Sequence, residues 1–202
     1  MELAEVVRRR RMVRRYDPDR PVPTDVLDAC FDAAVRAPSA GFSQGWDFVL
    51  LTSPEERRAF WEAASEDPDD PDAWLAGMMQ APALVLCCSH KDAYLDRYAA
   101  PDKGWSDRDE ARWPVPYWDV DTGMASLLIL LTAVDHGLGG LFFGVAPEMH
   151  DDVHETFAIP RTRTIVGVVA LGYEAPGPRS PSLKRGRRPP AEVVHRGRFG
   201  DH

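Results

Sequence analysis

A chain of 202 residues and 22.5 kDa, 44% of them apolar, is long enough for one packed domain and too apolar for wholesale disorder. Its formal charge of −8 speaks against a nucleic-acid binder. That charge is segregated: residues 8–15 hold six arginines, and residues 184–198 hold Lys184, Arg185, Arg187, Arg188, Arg196 and Arg198. With Glu192 the only acid in these segments, twelve basic residues and 31 acids remain elsewhere, a net −19.

Residues 2–11 read as a helix with Leu3, Val6 and Val7 on one side. No apolar run follows Arg8 to Arg11, so no secretory leader is expected. Thr24 suits an N-cap for a helix over 24–36, whose stripe of Val26, Leu27, Cys30, Phe31 and Ala34 has core spacing. Pro38 to Gly41 is a turn. Phe48 to Leu51 is a continuously apolar strand, which predicts burial on both faces. Ser53 then caps a helix opened by Pro54. Residues 62–72, with six acids and no base, predict a solvated loop. Trp74 to Ala81 is a short helix and Leu84 to Cys88 a second buried strand.

Residues 90–118 read as one long polar connection carrying Trp105, Trp113, Tyr117 and Trp118; loops of that length usually have a function. Asp119 to Gly137 is the most apolar helix, with Met124, Leu127, Leu128, Leu131 and Val134 on one face and Ile129 and Leu130 beside them. A helix apolar nearly all round must be covered all round, which points to a partner subunit. Its apolar run, Met124 to Val134, is too short for a membrane span. A strand from Leu141, a helix from Pro147 to about Phe157 and a strand from Thr164 to Tyr173 complete the core. The order of elements predicts an α+β (mixed α/β) sandwich. Residues 1–174 form the domain and 175–202 a Pro- and Arg-rich arm that docks elsewhere.

The three cysteines form no CxxC and no disulfide framework. Adjacent Cys87 and Cys88 must face opposite sides of a strand. Small core hydrophobes in a reduced cytoplasmic protein are expected. His150 and His154 have ligand-like spacing, but an exposed helix face is the simpler reading and no metal is expected.

Chemistry concentrates in a few segments. Arg10, Arg11 and Arg14 straddle a helix end, where guanidinium groups can converge on a phosphate or stand as a solvated basic face. Arg185 and Arg187 fit phosphate too. Ala37 to Trp46 combines small residues, which admit a flat ligand, with the polar groups of Ser39, Ser43 and Gln44. Gly137 to Gly144 can present backbone amides. No Gly-x-Gly-x-x-Gly follows a first strand and no P-loop exists, so those nucleotide-binding routes are unsupported.

In this order the segments resemble the nitroreductase-like flavoproteins over nearly the whole chain. The carriers are Arg10-Arg11-Met12-Val13-Arg14-Arg15-Tyr16 (family Arg-Arg-Ser-x-Arg-x-Phe), Ala37 to Trp46 (family Ala-Pro-Ser-x-x-Asn-x-Gln-Pro-Trp), Gly137-Leu138-Gly139 after the long helix, and Leu171-Gly172-Tyr173 with the basic tail. The resemblance implies a homodimer, a mostly antiparallel sheet flanked by helices with the long helix in the interface, and FMN between the subunits. Arg10, Arg11, Met12 and Arg14 would meet its phosphate and ribityl end, with Arg185 and Arg187 closing that site. Pro38, Ser39, Ala40 and Gln44 would line the flavin, and Phe142, Phe143 and Gly144 would pass over its ring. The activity implied is ping-pong: NADH or NADPH reduces FMN, then a nitroaromatic, quinone or similar electron-poor acceptor replaces the donor. Phe42, Trp105, Trp113, Tyr117 and Trp118 would wall the pocket for that small aromatic substrate; the four lid aromatics equally suit a dimer groove. The family Ser is Met12 here, its Asn is Phe42 and its Pro is Gly45. Phe42 also resembles the turn of the dimethylbenzimidazole synthases, a flavin-consuming branch that carries Asp at the Met12 position. Flavin consumption, or flavin binding without turnover, is therefore the alternative.

Overall fold

The computed structural model describes residues 1–177 and 180–201. Strands β1 (Trp46–Leu51), β2 (Ala83–Ser89), β3 (Gly139–Phe143) and β4 (Thr164–Gly172) form one sheet in the order β1-β2-β4-β3. Every neighbouring pair is antiparallel, with Phe48 opposite Cys87, Val85 opposite Val169 and Leu141 opposite Ala170. Every residue of β2 is buried, as its unbroken apolar run requires of a central strand. β1 departs from the expected two-sided burial. It is an edge strand, its Asp47 is exposed, and Phe48 to Leu50 are only half-buried. The register shifts between Cys87 and Cys88. The two thiols nevertheless enter opposite cores, as adjacency on a strand demands.

Helices cover both faces. On one, α2 (Thr24–Ala34) and α6 (Tyr117–Asp135) pack Leu27, Cys30, Ala125, Ile129 and Ala133 over Val85, Cys87 and Val169. On the other, α3 (Pro54–Ala64), α4 (Ala73–Met79) and α7 (His150–Thr156) supply Phe60, Trp61, Met78 and Val153 to Leu84, Leu86 and Val168. The result is the expected mixed α+β sandwich.

Local signals explain several boundaries. Ser53 accepts the Glu56 N–H at 3.1 Å while Glu56 accepts the Ser53 N–H at 2.9 Å, a complete capping box for α3. Thr24 is not a cap. Pro23 occupies the N-cap of α2 and Thr24 is already helical. The first helix, α1 (Leu3–Arg9), is shorter than 2–11, because residues 10–16 leave it to run beside the sheet. The segment from Pro147 is a 3-10 turn (Pro147–Met149) followed by α7.

Two expectations need larger correction. Residues 90–118 are not one loop: they contain α5 (Lys91–Ala99), a 3-10 turn (Glu110–Arg112) and the start of α6. The buried face of α6 is also not the one expected. Inside lie Asp121, Thr122, Ala125, Ser126, Ile129 and Ala133, whereas Met124 and Leu127 are exposed. Small residues such as Ala125 and Ala133 let α2 and the sheet approach closely beside Ile129, while Met124 and Leu127 are turned away. By length and composition α6 could cross a membrane, but half of it is buried within the fold and Asp121 is hydrogen-bonded there.

Beyond Gly177, a 3-10 turn (Pro181–Arg185) and the short α8 (Pro190–Val193) are held by local bonds such as Arg188 Nη2 to Glu192 O at 2.9 Å. Leu183, Val194 and Phe199 are exposed, the last at 93%.

Candidate functional site

The arginine segment owes its place to pairing at the edge of the sheet. Met12 bridges Gly140 in parallel, and the Val13 N–H donates to Gly140 O at 3.0 Å. Tyr16 bridges Glu174, and the Asp17 N–H donates to Tyr173 O at 2.9 Å. Val13 and Tyr16 are buried, with the Tyr16 hydroxyl 2.9 Å from Val13 O. Extended backbone alternates its side chains. Arg11 is thereby paired with Glu174, while Arg10 Nη1 lies 3.4 Å from Met12 Sδ and Arg14 Nη1 lies 3.4 Å from Met12 O. Neither Arg10 nor Arg14 forms an ion pair among the described residues. Guanidinium groups stay charged at any physiological pH, so both are available to an anion.

Arg10 and Met12 line a cavity of about 240 Å³ together with Gly123, Ser126, Leu127 and Leu130 of α6 and Phe142 of β3. The α6 residues have the i, i+3, i+4, i+7 spacing of one helix face. Phe142 and Phe143 stand on opposite sides of β3. The Phe142 ring lies across Gly167, where an added Cβ would come within 2.3 Å of Cζ. Phe143 instead stacks on Trp61, centroids 5.6 Å apart and planes within 8°. Only Phe142 of this pair can present its ring to the cavity. Arg185 and Arg187 are exposed in the arm and are not among the residues lining it.

The turn after α2 is tightly constrained. Pro38 and Ser39 lead into a single 3-10 turn (Ala40–Phe42), and Gly41, Phe42 and Gln44 all have positive φ of 63°, 58° and 51°. The Phe42 N–H donates to Ser39 O at 2.9 Å, and the Gln44 N–H donates to Ser39 Oγ at 3.0 Å. Phe42 is left 77% exposed. Gly45 admits no side chain: a Cβ would sit 2.5 Å from Tyr94 Cε2 and 2.7 Å from His90 O.

Trp105, Trp113, Tyr117 and Trp118 do come together, but chiefly upon one another and on α5. Trp113 lies 4.7 Å from Tyr98, 5.6 Å from Trp105, 5.9 Å from Trp118 and 6.0 Å from Tyr117, centroid to centroid. Trp118 is buried and Tyr117 exposed. Bidentate pairs fix the connecting loop, Arg97 to Asp102 at 2.7 and 2.6 Å and Arg112 to Asp107 at 3.0 and 2.7 Å. The Arg97 guanidinium holds the Asp102 carboxyl down at about 2. Burial pushes the Tyr94 phenol well above its ordinary value, and its bond to Asp121 adds to that. No group of three metal-ligating side chains occurs among the described residues. His154 is buried with Nδ1 3.0 Å from Ile159 O.

The family model described as the nitroreductase family matches residues 7–173. The chain belongs to the nitroreductase family. It is accordingly an oxidoreductase. A relative from Methanothermobacter thermautotrophicus named as an NADH dehydrogenase/NAD(P)H nitroreductase is 29% identical over 181 residues, 88% of this chain and 80% of that protein. An NADH dehydrogenase of Thermus thermophilus is 32% identical over 186 residues, 83% of this chain and 84% of that protein. Among solved structures, a nitroreductase family protein of Clostridium difficile superposes with TM-score 0.72 at 23% identity, covering 98% of this chain and 100% of that one. Nitroreductase A of Vibrio parahaemolyticus gives TM-score 0.73 at 20% identity, covering 99% and 77%. These two establish the fold.

Nitroreductases generally use a flavin with NAD(P)H. The residues here fit such a group. Arg10, a cation without an ion pair among the described residues, lies on the edge of a mostly apolar cavity with Arg14 four residues along the same segment, and a Cβ on Gly123 in the cavity wall would meet nothing within 4 Å. Phosphate at one end and an aromatic ring at the other match that donor set. Sequence reasoning missed the wall from α6. Its signal was present in the i, i+3, i+4, i+7 spacing of Gly123, Ser126, Leu127 and Leu130, which puts two small residues and two leucines on one helix face.

Proposed function

We propose that this nitroreductase is an FMN-dependent NAD(P)H oxidoreductase that reduces nitroaromatic, quinone or similar electron-poor acceptors as a homodimer. The single observation that carries the reading is the cavity in which Arg10 and Met12 meet Phe142 and the Gly123–Leu130 face of α6. When bound, FMN supplies the hydride chemistry that links the nicotinamide donor to the acceptor.

The protein's residues supply position and charge. Arg10 and Arg14 would hold the phosphate by charge-assisted hydrogen bonds, and Arg185 and Arg187 would reach it from the arm of one or other subunit. Arg11, engaged with Glu174, steadies the segment. Leu127, Leu130 and Phe142 would exclude water from the bound flavin, and the backbone amides of Phe143 and Gly144 would be available to it. Pro38, Ser39, Ala40 and Gln44 form the opposing wall from the second subunit. Phe42 and Tyr117, both exposed, face the acceptor, with Trp113 edge-on to Tyr117 and Trp105 and Trp118 edge-on to Trp113. Among the described residues no carboxylate lines the cavity, which supports protons from water and flavin reduction over the acid-linked chemistry of the flavin-consuming branch. The exposed Leu3 and Val7 of α1 and Val120, Met124 and Leu127 of α6 supply an apolar face for the second copy. Three buried free thiols suit a reducing cytoplasm.

The test is the visible spectrum of the purified protein and its anaerobic bleaching by NADH and by NADPH. Bleaching by either, followed by reoxidation with a quinone, is expected. A protein that takes up no FMN, or FMN that neither donor reduces, would refute the reading.

A further inference from the structure

The turn at residues 39–44 is not self-supporting. Two of its three positive-φ residues, Phe42 and Gln44, are not glycine, and such backbone persists only where its surroundings over-determine it. Hydrogen bonds within the turn account for part of this. From outside, two side chains bond to its backbone. Arg97 Nε donates to Gly41 O at 3.0 Å, and Asp121 Oδ2 accepts the Ala40 N–H at 2.8 Å. The same Oδ2 accepts the Tyr94 hydroxyl at 2.9 Å. Tyr94 and Tyr98 also press on the turn from beneath, at Gly45 and Gly41.

Asp121 is 2% exposed and makes no ion pair among the described residues. A buried carboxylate is a costly way to close one end of a helix–turn contact unless that contact must be held firmly. It sits on α6, two residues before Gly123 in the cavity wall. We infer that Asp121, oriented by Tyr94, is a positioning residue: it locks the 39–44 turn in the shape that presents Phe42 and Gln44 to the flavin and acceptor. That role in the site rests on the flavin reading above.

Hydrogen exchange of the apoprotein tests the lock without any cofactor, comparing the peptide over 37–46 with the β2 peptide. Asp121→Ala is expected to speed exchange in the turn by about ten-fold or more, as loss of a bond to a charged group implies, with β2 unchanged. Tyr94→Phe, which keeps the ring under Gly45, is expected to give a smaller rise and serves where the alanine variant does not fold. Asp121→Asn, whose amide oxygen can accept both bonds, is expected to rescue. FMN titration by flavin fluorescence is expected to weaken in the same order. Equal exchange in all variants, a rise shared by β2, or turn loosening without any loss of FMN affinity would overturn the inference. A wild-type chain that binds no FMN would instead remove the flavin reading alone, and the exchange pattern would still decide whether Asp121 holds the turn.

Discussion

Placing a methyl group at Gly167 is the most direct way to disturb the cavity from the inside of the sheet. An ideal Cβ there would lie 2.3 Å from Phe142 Cζ and 2.8 Å from both Cε atoms. Carbon atoms rest at about 3.5–4.0 Å, so the ring tip must retreat by more than about 1 Å. Phe142 is packed against Val169 and its neighbours on one side and lines the cavity on the other, so the retreat is toward the cavity. Overpacking of this kind costs about 1–3 kcal/mol. For a domain of this size that lowers Tm by roughly 2–4 °C per kcal/mol. The assay is thermal unfolding of Gly167→Ala, Phe142→Ala and the double variant, together with FMN titration. With the ring gone the methyl group has nothing to strike, and alanine is favoured over glycine within a strand by roughly 0.5–1 kcal/mol. The second substitution is therefore expected to be neutral or stabilising in the Phe142→Ala background. If Gly167→Ala destabilised that background as much as the wild type, the steric account of the Phe142 position would be wrong.

Arg10→Ala is expected to weaken FMN binding by about 1.5–3 kcal/mol, or some 10- to 150-fold in Kd, and Arg10→Lys by less; fluorescence titration decides. Met12→Ser, which restores a hydroxyl beside Arg10, is expected to tighten FMN by about 0.5–1.5 kcal/mol, and unchanged affinity would mean that position 12 does not touch the cofactor. Ser53→Ala removes the capping box of α3 and is expected to cost about 0.5–2 kcal/mol in a denaturant melt. Burial pushes the thiol of Cys30 up to about 11 and those of Cys87 and Cys88 up to about 12, from 9.0. Because the unfolded chain loses these protons first, the thiols' contribution is fully present below pH 9 and is lost as pH rises from there toward 11 and 12. All three are expected to be silent to a thiol reagent at pH 8 until the chain is denatured.

The sandwich was legible because its central strands are continuous apolar runs and because Ser53 and Pro54 write a helix start in chemistry. The face of α6 was misread because hydrophobicity marks what wants cover, not which neighbour provides it. The bulky Met124 and Leu127 stay outside and the small Ala125 and Ala133 go in. α5 was missed because only Tyr94 and Leu95 of its nine residues are buried and its other positions are dominated by charge. At the site, Arg10, Met12 and Phe142 were named from sequence and share one cavity. The division between Phe142 and Phe143 followed from strand alternation and could have been read in advance. The pairing of Arg11 with Glu174 could not, since it joins residues from opposite ends of the domain.

The lacing of residues 12–17 to Gly140 and to Tyr173–Glu174 has a consequence for biosynthesis. Arg10 and Arg14 are synthesised before any strand of the sheet, yet the backbone partners that extend this segment lie in and beyond the last two strands. Contacts of such sequence separation form late and slowly. The arginine cluster therefore stays unorganised on the nascent chain until nearly the whole domain has emerged. Under the flavin reading proposed above, cofactor capture would be confined to chains whose final strand is already in place.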